Sequence, residues 1–224
     1  MAGTKDPANK EKTMPFEVYD YRRDIRNVVV TPEIRCRFMR LEPGQVGKSH
    51  SHDLGHEVFL ILEGQAEFNI DGEKRVLGSG QMCFAPADQM HEVVAVGDQP
   101  MIMYLSVTPH LEPTHTWWDE RGQKLPPRYG VTSQPEEKAP SPDPTPLLAD
   151  KHVAACAALA ETAVASAQAQ AAAAADLKDA VAAGDEIGMK AAIDAMWVHI
   201  YATHKRLAAM EAIWNDLAER APQP

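Results

Sequence analysis

The chain has 224 residues, a formal net charge of −10 and a pI of about 5.3. This acidic balance argues against a nucleic-acid partner, because phosphate backbones are recognised by concentrated basic patches. We also expect no membrane partner, since no apolar run has the length of a bilayer span and the first residues lack the apolar core of a signal peptide. The three cysteines, Cys36, Cys83 and Cys156, are widely spaced, which predicts no disulfide framework and favours a cytoplasmic location.

The first part of the chain has the pattern of an antiparallel β-protein. Residues 1–14 are mostly polar, and we expect a disordered tail there. Residues 15–120 contain a series of short apolar stretches separated by turn residues, without a helical period. One such turn, Asp71-Gly72, is the pair preferred in tight hairpins. This pattern predicts a β-barrel or sandwich domain over residues 15–120.

The last part of the chain predicts two helices. Residues 121–146 are rich in proline and are expected to form a linker. Residues 147–221 are dominated by alanine, the strongest helix former, and are interrupted at Gly184 and Asp185, which are typical of a helix end and a helix start. We therefore expect an antiparallel, Ala-rich helical hairpin.

The second of these helices carries an apolar stripe at helical spacing, interrupted by His204 and Glu211. The alanines of the first helix are expected to let the two backbones approach closely, with Trp197 and Trp214 filling the gaps. The role of the hairpin stays open between two alternatives. It either joins copies of the chain, since two hairpins could form a four-helix bundle, or it folds back on its own barrel. In either case we expect a homodimer or a higher homo-oligomer.

A cluster of metal-ligand residue types lies between Gly44 and Gly64. His50, His52 and Glu57 stand within eight residues of one another. If the chain around His50 and His52 is extended, both side chains point to the same face, because side chains alternate along a strand. Two imidazoles on one face are half of a metal site, and Glu57 on the next strand offers a carboxylate.

These residues resemble the two motifs of the cupin superfamily. The spacing of the first motif, G-x5-H-x-H-x3,4-E-x6-G, is matched throughout by Gly44, His50, His52, Glu57 and Gly64. The second motif, G-x5-P-x-G-x2-H-x3-N, is matched by Gly80, Pro86 and His91, while Asp88 and Ala95 replace its usual glycine and asparagine. The resemblance implies a small antiparallel cupin β-barrel, jelly-roll-like, with one divalent transition metal. It also implies the ligand set, which is His50, His52, Glu57 and His91.

Three imidazoles and one carboxylate suit Fe, Mn, Ni, Cu, Co or Zn, and they leave coordination positions open for water or substrate. The leading hypothesis is therefore a metal-dependent enzyme for a small organic molecule, with an Fe(II)-type dioxygenase as the best guess. Glu57 is then a ligand or a proton shuttle. One alternative is a non-redox isomerase, lyase or decarboxylase, and another is a non-catalytic ligand-binding or sensor protein.

The strand around Arg35 and Arg37 has two possible orientations. If the two arginines face inward, they would bind an anionic substrate. We favour the opposite orientation, in which Ile34, Cys36 and Phe38 face the core and the arginines face solvent.

Further histidines flank the predicted site. His56 should face away from the ligand set, at the barrel rim. His110, His115, Trp117 and Trp118 follow the last strand and form either a lid over the barrel mouth, with His115 as an acid or base, or a strap that packs on the barrel. We favour the packing strap.

Overall fold

The structure is a computed structural model that describes residues 16–130 and 140–222. The predicted tail at 1–14 lies outside the described residues, and so does the middle of the predicted linker. Within the described ranges, neither helix combines the length and the apolar composition that crossing a membrane requires.

The described residues form nine β-strands followed by two helices. The strands are β1 Asn27–Val30, β2 Arg35–Leu41, β3 Val46–His50, β4 His56–Glu63, β5 Gln65–Ile70, β6 Glu73–Gly78, β7 Met82–Ala85, β8 His91–Val96 and β9 Met101–Thr108. They build two antiparallel sheets with the orders β1-β2-β9-β4-β7 and β3-β8-β5-β6. The predicted fold class is confirmed, although the strands form two sheets of a jelly-roll-like domain rather than a closed barrel. We call these two sheets the β-domain.

Two glycine positions show how local sequence sets the strand connections. Asp71 and Gly72 both have positive φ, 52° and 89°, and they join β5 to β6 in the predicted hairpin turn. Gly64 lies between β4 and β5, where φ is +69° and an added Cβ would lie 2.5 Å from the carbonyl oxygen of Pro100. A side chain at Gly64 would therefore collide with the backbone, so the chain can change sheets here only at a glycine.

The apolar core lies between the two sheets. The rings of Phe59 on β4 and Phe68 on β5 are 5.0 Å apart between centroids, and both side chains are buried. Along β4 the alternate residues Glu57, Phe59 and Ile61 all face this interior. The strand thus carries its apolar side chains and its carboxylate on the same face.

The favoured orientation of β2 is wrong. Arg35 and Arg37 are only 1% and 7% exposed and point inward. The outer face of β2 is itself covered, since the ring of Phe38 contacts those of Tyr21 and Tyr104 at centroid distances of 6.3 and 6.0 Å. An apolar residue on this face therefore gains burial without facing the core.

The two helices are α1 Thr145–Ala183 and α2 Glu186–Ala218, about 58 and 50 Å long at 1.5 Å per residue. The predicted helix end and start are confirmed. Gly184 adopts the left-handed conformation with φ 65°, and the side chain of Asp185 accepts a hydrogen bond from the backbone N–H of Gly188. The helices pack against each other as an antiparallel hairpin.

The predicted packing of Trp197 between the helices is wrong, because its side chain is 61% exposed. The side of α2 that meets α1 is marked instead by Met196, whose carbonyl accepts a hydrogen bond of 2.7 Å from the Gln170 side chain. Alanines occupy buried positions on both helices, namely Ala173, Ala180 and Ala192. Side chains this small let the backbones approach closely and leave no space for an indole.

The C-terminal end of α2 packs against the chain that follows β9. The Asn215 side chain donates to the carbonyl of His110 at 2.8 Å and accepts from the backbone N–H of Glu112 at 2.9 Å. The indole N–H of Trp214 donates to the carbonyl of Glu112 at 2.6 Å. The hairpin therefore folds back on its own β-domain at this end, as one of the two alternatives for the hairpin predicts.

We expect Asn215→Ala to destabilise the protein by about 2 to 3 kcal/mol, because it leaves two buried backbone groups without partners. Urea unfolding monitored by circular dichroism measures the change. The control is Gln168→Ala on the exposed side of α1, which we expect to change the free energy of unfolding by less than about 0.5 kcal/mol. Equal unfolding midpoints for the two variants would contradict the assigned role of Asn215.

Candidate metal centre

The four residues of the predicted ligand set lie together, and we call them the ligand cluster: His50, His52, Glu57 and His91. One ligand atom from each lies within 4.8 Å of all the others. Strand pairing explains the convergence, because β3 and β8 are neighbours and His50 stands opposite His91 in their register. Glu57 approaches from β4 in the other sheet. Residues forty positions apart in sequence are thus brought together by the closing of the two sheets.

Backbone carbonyls fix the orientation of all three imidazoles. The Nδ1 atom of His50 lies 2.7 Å from one carbonyl oxygen, that of His91 lies 3.0 Å from a second, and that of His52 contacts a third. The carbonyls belong to Lys48, Gln89 and Thr114. A carbonyl oxygen only accepts, so each Nδ1 atom carries the proton and each Nε2 atom presents its lone pair to the cluster.

The ligand cluster therefore brings acceptor atoms face to face. The Nε2 atoms of His50 and His91 are 3.2 Å apart, and Glu57 Oε2 lies 2.8 Å from His52 Nε2 and 2.9 Å from His91 Nε2. Lone pairs at these distances repel unless a cation lies among them. Two ligands about 2.1 Å from one ion and at right angles to each other are about 3 Å apart, so the donor set fits a divalent transition metal.

Electrostatics keep the ligands in their metal-binding protonation states. Burial lowers the pKa of His50 to about 4, although the Glu57 carboxylate opposes this shift. Burial alone would raise the pKa of the Glu57 carboxyl, but its contacts with the rings of His52 and His91 lower that pKa well below its usual value. The cluster at neutral pH thus holds neutral imidazole at His50 and an ionised carboxylate, which are the forms that bind metals.

A cavity of about 460 Å³ opens from the ligand cluster. This volume is suited to a small organic molecule. Its walls are largely apolar and include Met39, Phe59, Val93, Met103 and Leu105. The exceptions, besides the cluster, are chiefly charged groups. They are the guanidinium groups of Arg35 and Arg37 from β2 and of Arg128 from the chain after β9, with Lys48 and Glu92.

The two β2 arginines give the cavity a positive charge. Burial and the neighbouring charge of Arg35 lower the pKa of Arg37 to about 10, so the Arg37 guanidinium stays protonated at neutral pH. The described lining carries four positive groups, on Arg35, Arg37, Arg128 and Lys48, against the two carboxylates of Glu57 and Glu92, and a bound divalent metal would add two positive charges. The cavity is therefore complementary to an anion.

His115 and Trp117 also line the cavity, so the favoured packing strap is wrong for these two residues. The His115 ring lies 4.8 Å from the ring of His50 and stacks against Trp117 at 5.7 Å between centroids. Burial lowers the pKa of His115 below its ordinary value, so this imidazole is neutral. Two backbone hydrogen bonds of 3.1 and 2.8 Å between Ser51 and Thr116 hold the segment beside the cluster.

The other flanking residues lie outside the cavity. His110 is buried in the packed segment, with its Nδ1 atom 3.3 Å from the hydroxyl of Thr114. The indole N–H of Trp118 donates to the Ser51 hydroxyl at 3.0 Å. His56 is exposed and accepts a hydrogen bond from a backbone N–H of the loop before β8. The strap interpretation thus describes His110 and Trp118, whereas the lid interpretation describes His115 and Trp117.

Two features of the site have no signal in the sequence. Arg128 lines the cavity although it lies in the proline-rich stretch that the sequence predicts to be a linker. The carbonyl of Thr114 orients His52, and backbone groups leave no trace in a residue pattern.

Comparison with known proteins identifies one domain within the chain. Residues 37–108 match the sequence model described as the cupin domain, so this part of the chain is a cupin domain, as the two motifs predict.

Two curated relatives and one solved structure are also similar to part of the chain. The pectin degradation protein KdgF of Dickeya dadantii is 32% identical over 60 residues, which cover 27% of this chain and 54% of KdgF. The 5-nitrosalicylic acid 1,2-dioxygenase of a Bradyrhizobium species is 27% identical over 82 residues, which cover 37% of this chain and 39% of the dioxygenase. The chain thus spans about half or less of these relatives. The structure of KdgF from a Halomonas species is 28% identical with a TM-score of 0.34, and the match covers 37% of this chain and 74% of that one.

We expect protein purified without added metal to contain a transition metal, and His50→Ala/His52→Ala to contain at least about tenfold less. Elemental analysis by mass spectrometry measures the content. The matched double variant is His56→Ala/His204→Ala, which changes two exposed histidines outside the cluster and is expected to keep its metal. Equal metal content in the two double variants would show that the cluster does not bind it.

Proposed function

We propose that this chain is a metal-dependent enzyme that acts on a small organic acid, with oxidation by O2 as its reaction. The observation that carries the proposal is the presence of Arg35 and Arg37, both buried, in the same cavity as the ligand cluster. A guanidinium is positively charged at neutral pH, and its charge attracts an anion more strongly in a buried site than in water. Two such groups side by side in an open cavity favour a ligand that brings a negative charge.

The geometry supports a carboxylate as the anion. A guanidinium offers donors in a planar fork that matches the two oxygens of a carboxylate. Arg35 and Arg37 stand two positions apart on β2, so their side chains emerge on the same face of the strand. A carboxylate held there lies in the same cavity as the ligand cluster and can be oriented toward it.

The rest of the cavity supports an apolar or aromatic body on the same molecule. Phe59 and Leu105 form part of the wall, and Trp117 with His115 stacked on it forms another part. These side chains exclude water from the acid once it is bound, and the neutral His115 ring adds no charge that would compete with the arginines.

The chain's own groups have separable roles in such a reaction. A transition metal bound by the ligand cluster would supply Lewis-acid chemistry or, as Fe(II), redox chemistry at its open positions. Arg35 and Arg37 bind and orient the acid. The Glu57 carboxylate, ionised at neutral pH, holds its place in the cluster and supplies its negative ligand. The similarity to a protein named as a dioxygenase of a nitrosalicylic acid supports both an acidic substrate and O2 as the oxidant.

The second candidate is a non-redox reaction on an organic acid, such as isomerisation, elimination or decarboxylation. It uses the same arginines, and the similarity to a protein named for pectin degradation supports it. A ligand-binding role without turnover uses the same cavity as well.

Turnover under defined metal and oxygen conditions tests these alternatives. The protein is loaded with Fe(II) and assayed with hydroxybenzoates and uronates by oxygen electrode and mass spectrometry. Substrate-dependent O2 uptake supports the oxidation, whereas anaerobic turnover with Mn or Zn supports the non-redox candidate. Tight binding of an acid without turnover under either condition would contradict an enzymatic role.

We expect Arg35→Met to weaken the binding of salicylate, used as a probe, by about 30-fold or more, because one of the two buried cations is lost. Isothermal titration calorimetry of the metal-loaded protein measures the affinity. Arg40→Met is the matched control, since Arg40 is on the same strand with an exposed side chain that pairs with Glu42. Equal affinities of these two variants would contradict the role of Arg35 in binding the acid.

A further inference from the structure

One side of α2 exposes a run of large apolar side chains. Ile193, Trp197, Ile200 and Tyr201 are each 51–61% exposed. Ile193, Trp197 and Tyr201 are four residues apart, and Ile200 follows Trp197 by three residues. All four side chains therefore share one side of the helix. Single exposed apolar residues are common on protein surfaces, but a contiguous apolar patch marks an interaction site. We call these four residues the α2 stripe.

The level of the hairpin that carries the α2 stripe lacks charge. Residues 195–204 of α2 and residues 162–175 of α1 contain no Asp, Glu, Lys or Arg. The hydrogen bond from the Gln170 side chain to the carbonyl of Met196 shows that the two segments lie at the same height. Both helices are therefore uncharged at this level, whereas a helix surface that faces only water normally carries charged residues.

The same side of α2 is already covered further along the helix. Asn215 follows Trp197 by 18 residues, which is five turns of 3.6 residues, so both lie on one side. Asn215 is hydrogen-bonded to the chain that follows β9. Within the described ranges, this side is therefore uncovered from Glu186 to about Leu207, and the chain that follows β9 covers it further along.

We propose that the α2 stripe binds the α2 stripe of a second copy of this chain, with the two hairpins antiparallel. If the hairpins were parallel, the two β-domains would lie at the same end of the paired helices and on the facing sides, so they would collide. In the antiparallel arrangement about a twofold axis near Trp197, the partner's Glu186 lies level with Ala208, since each is 11 residues from Trp197. The partner's hairpin then ends before it reaches Asn215. One patch serves both copies, as a twofold interface requires.

The free surface is large enough for such an interface. The segment from Glu186 to Leu207 has 22 residues and is about 33 Å long. Two neighbouring helices are about 20 Å wide, so the hairpin offers a face of about 660 Å². A stable interface of standard size buries about 800 Å² of accessible surface per partner, which is of the same order. The product is a four-helix bundle.

Sedimentation equilibrium of the full chain from about 1 to 100 μM tests the proposal. We expect the wild type at a mass twice the chain's 24.6 kDa, or at a multiple of it if the β-domains pair as well. Ile200→Glu places two charges in the interface and is expected to weaken the association at least about 100-fold. The control is Val153→Glu on α1, a 68% exposed residue near the Asn215 end of the hairpin and beyond the reach of the partner, which should associate like the wild type. Circular dichroism verifies that both variants keep their helices.

Cysteine cross-linking tests the antiparallel orientation. In a Cys156→Ser background, Trp197→Cys near the proposed axis is expected to form a disulfide-linked dimer on mild oxidation, whereas Ile187→Cys at the hairpin tip is not. Cross-linking of Ile187→Cys would indicate a parallel pair and overturn the arrangement. A monomeric wild type at 100 μM, or an Ile200→Glu variant with the wild-type mass, would overturn the proposal as a whole.

Discussion

Four acceptor atoms that face one another inside the protein are the constraint on which the site depends. Each imidazole is locked by a carbonyl at Nδ1, so the Nε2 lone pairs and the Glu57 carboxylate converge without a proton between them. The fold supplies what this arrangement needs. The pairing of β3 with β8 sets His50 opposite His91, and the crossing at Gly64 lets β4 carry Glu57 in from the other sheet. A cation in the cluster would replace the repulsion between these atoms with attraction of each of them to the ion.

The sequence was sufficient to predict the ligand cluster but not the composition of the cavity beside it. Ligand spacing is a local property, and the two motifs carry it in the order and distance of His50, His52, Glu57 and His91. The orientation of β2 is not local. Alternation places Arg35 and Arg37 on one face, but either face of a strand can be buried, and here Tyr21 and Tyr104 cover the apolar one. Those tyrosines lie far from the strand in sequence, so the choice was decided by tertiary contacts that a pattern does not contain.

The helical hairpin likewise has features that the local sequence predicts and features that tertiary contacts decide. Alanine content and the Gly184-Asp185 junction are local signals, and they were enough to predict two helices and the turn between them. The packing of Trp197 between the helices was wrongly predicted because periodicity identifies an apolar side without saying what it faces. Alanine at Ala173, Ala180 and Ala192 is small enough to bring the helices together. The side chain of Trp197 consequently lies beside the helix contact, whereas the ring of Trp214 contacts that of His152 on α1 at 5.6 Å between centroids.

The short loop at residues 112–114 contacts both the ligand cluster and the helical hairpin. The carbonyl of Thr114 orients His52, and two residues earlier the backbone of Glu112 is held by Asn215 and Trp214 of α2. The contact that holds the hairpin and the group that orients His52 therefore lie in one short stretch of backbone. If docking of the hairpin raises the affinity of the cluster for an ion, thermodynamic linkage requires the bound ion to favour docking of the hairpin by the same factor. In that case the docking of the helices and the binding of an ion to the cluster are coupled, and each strengthens the other.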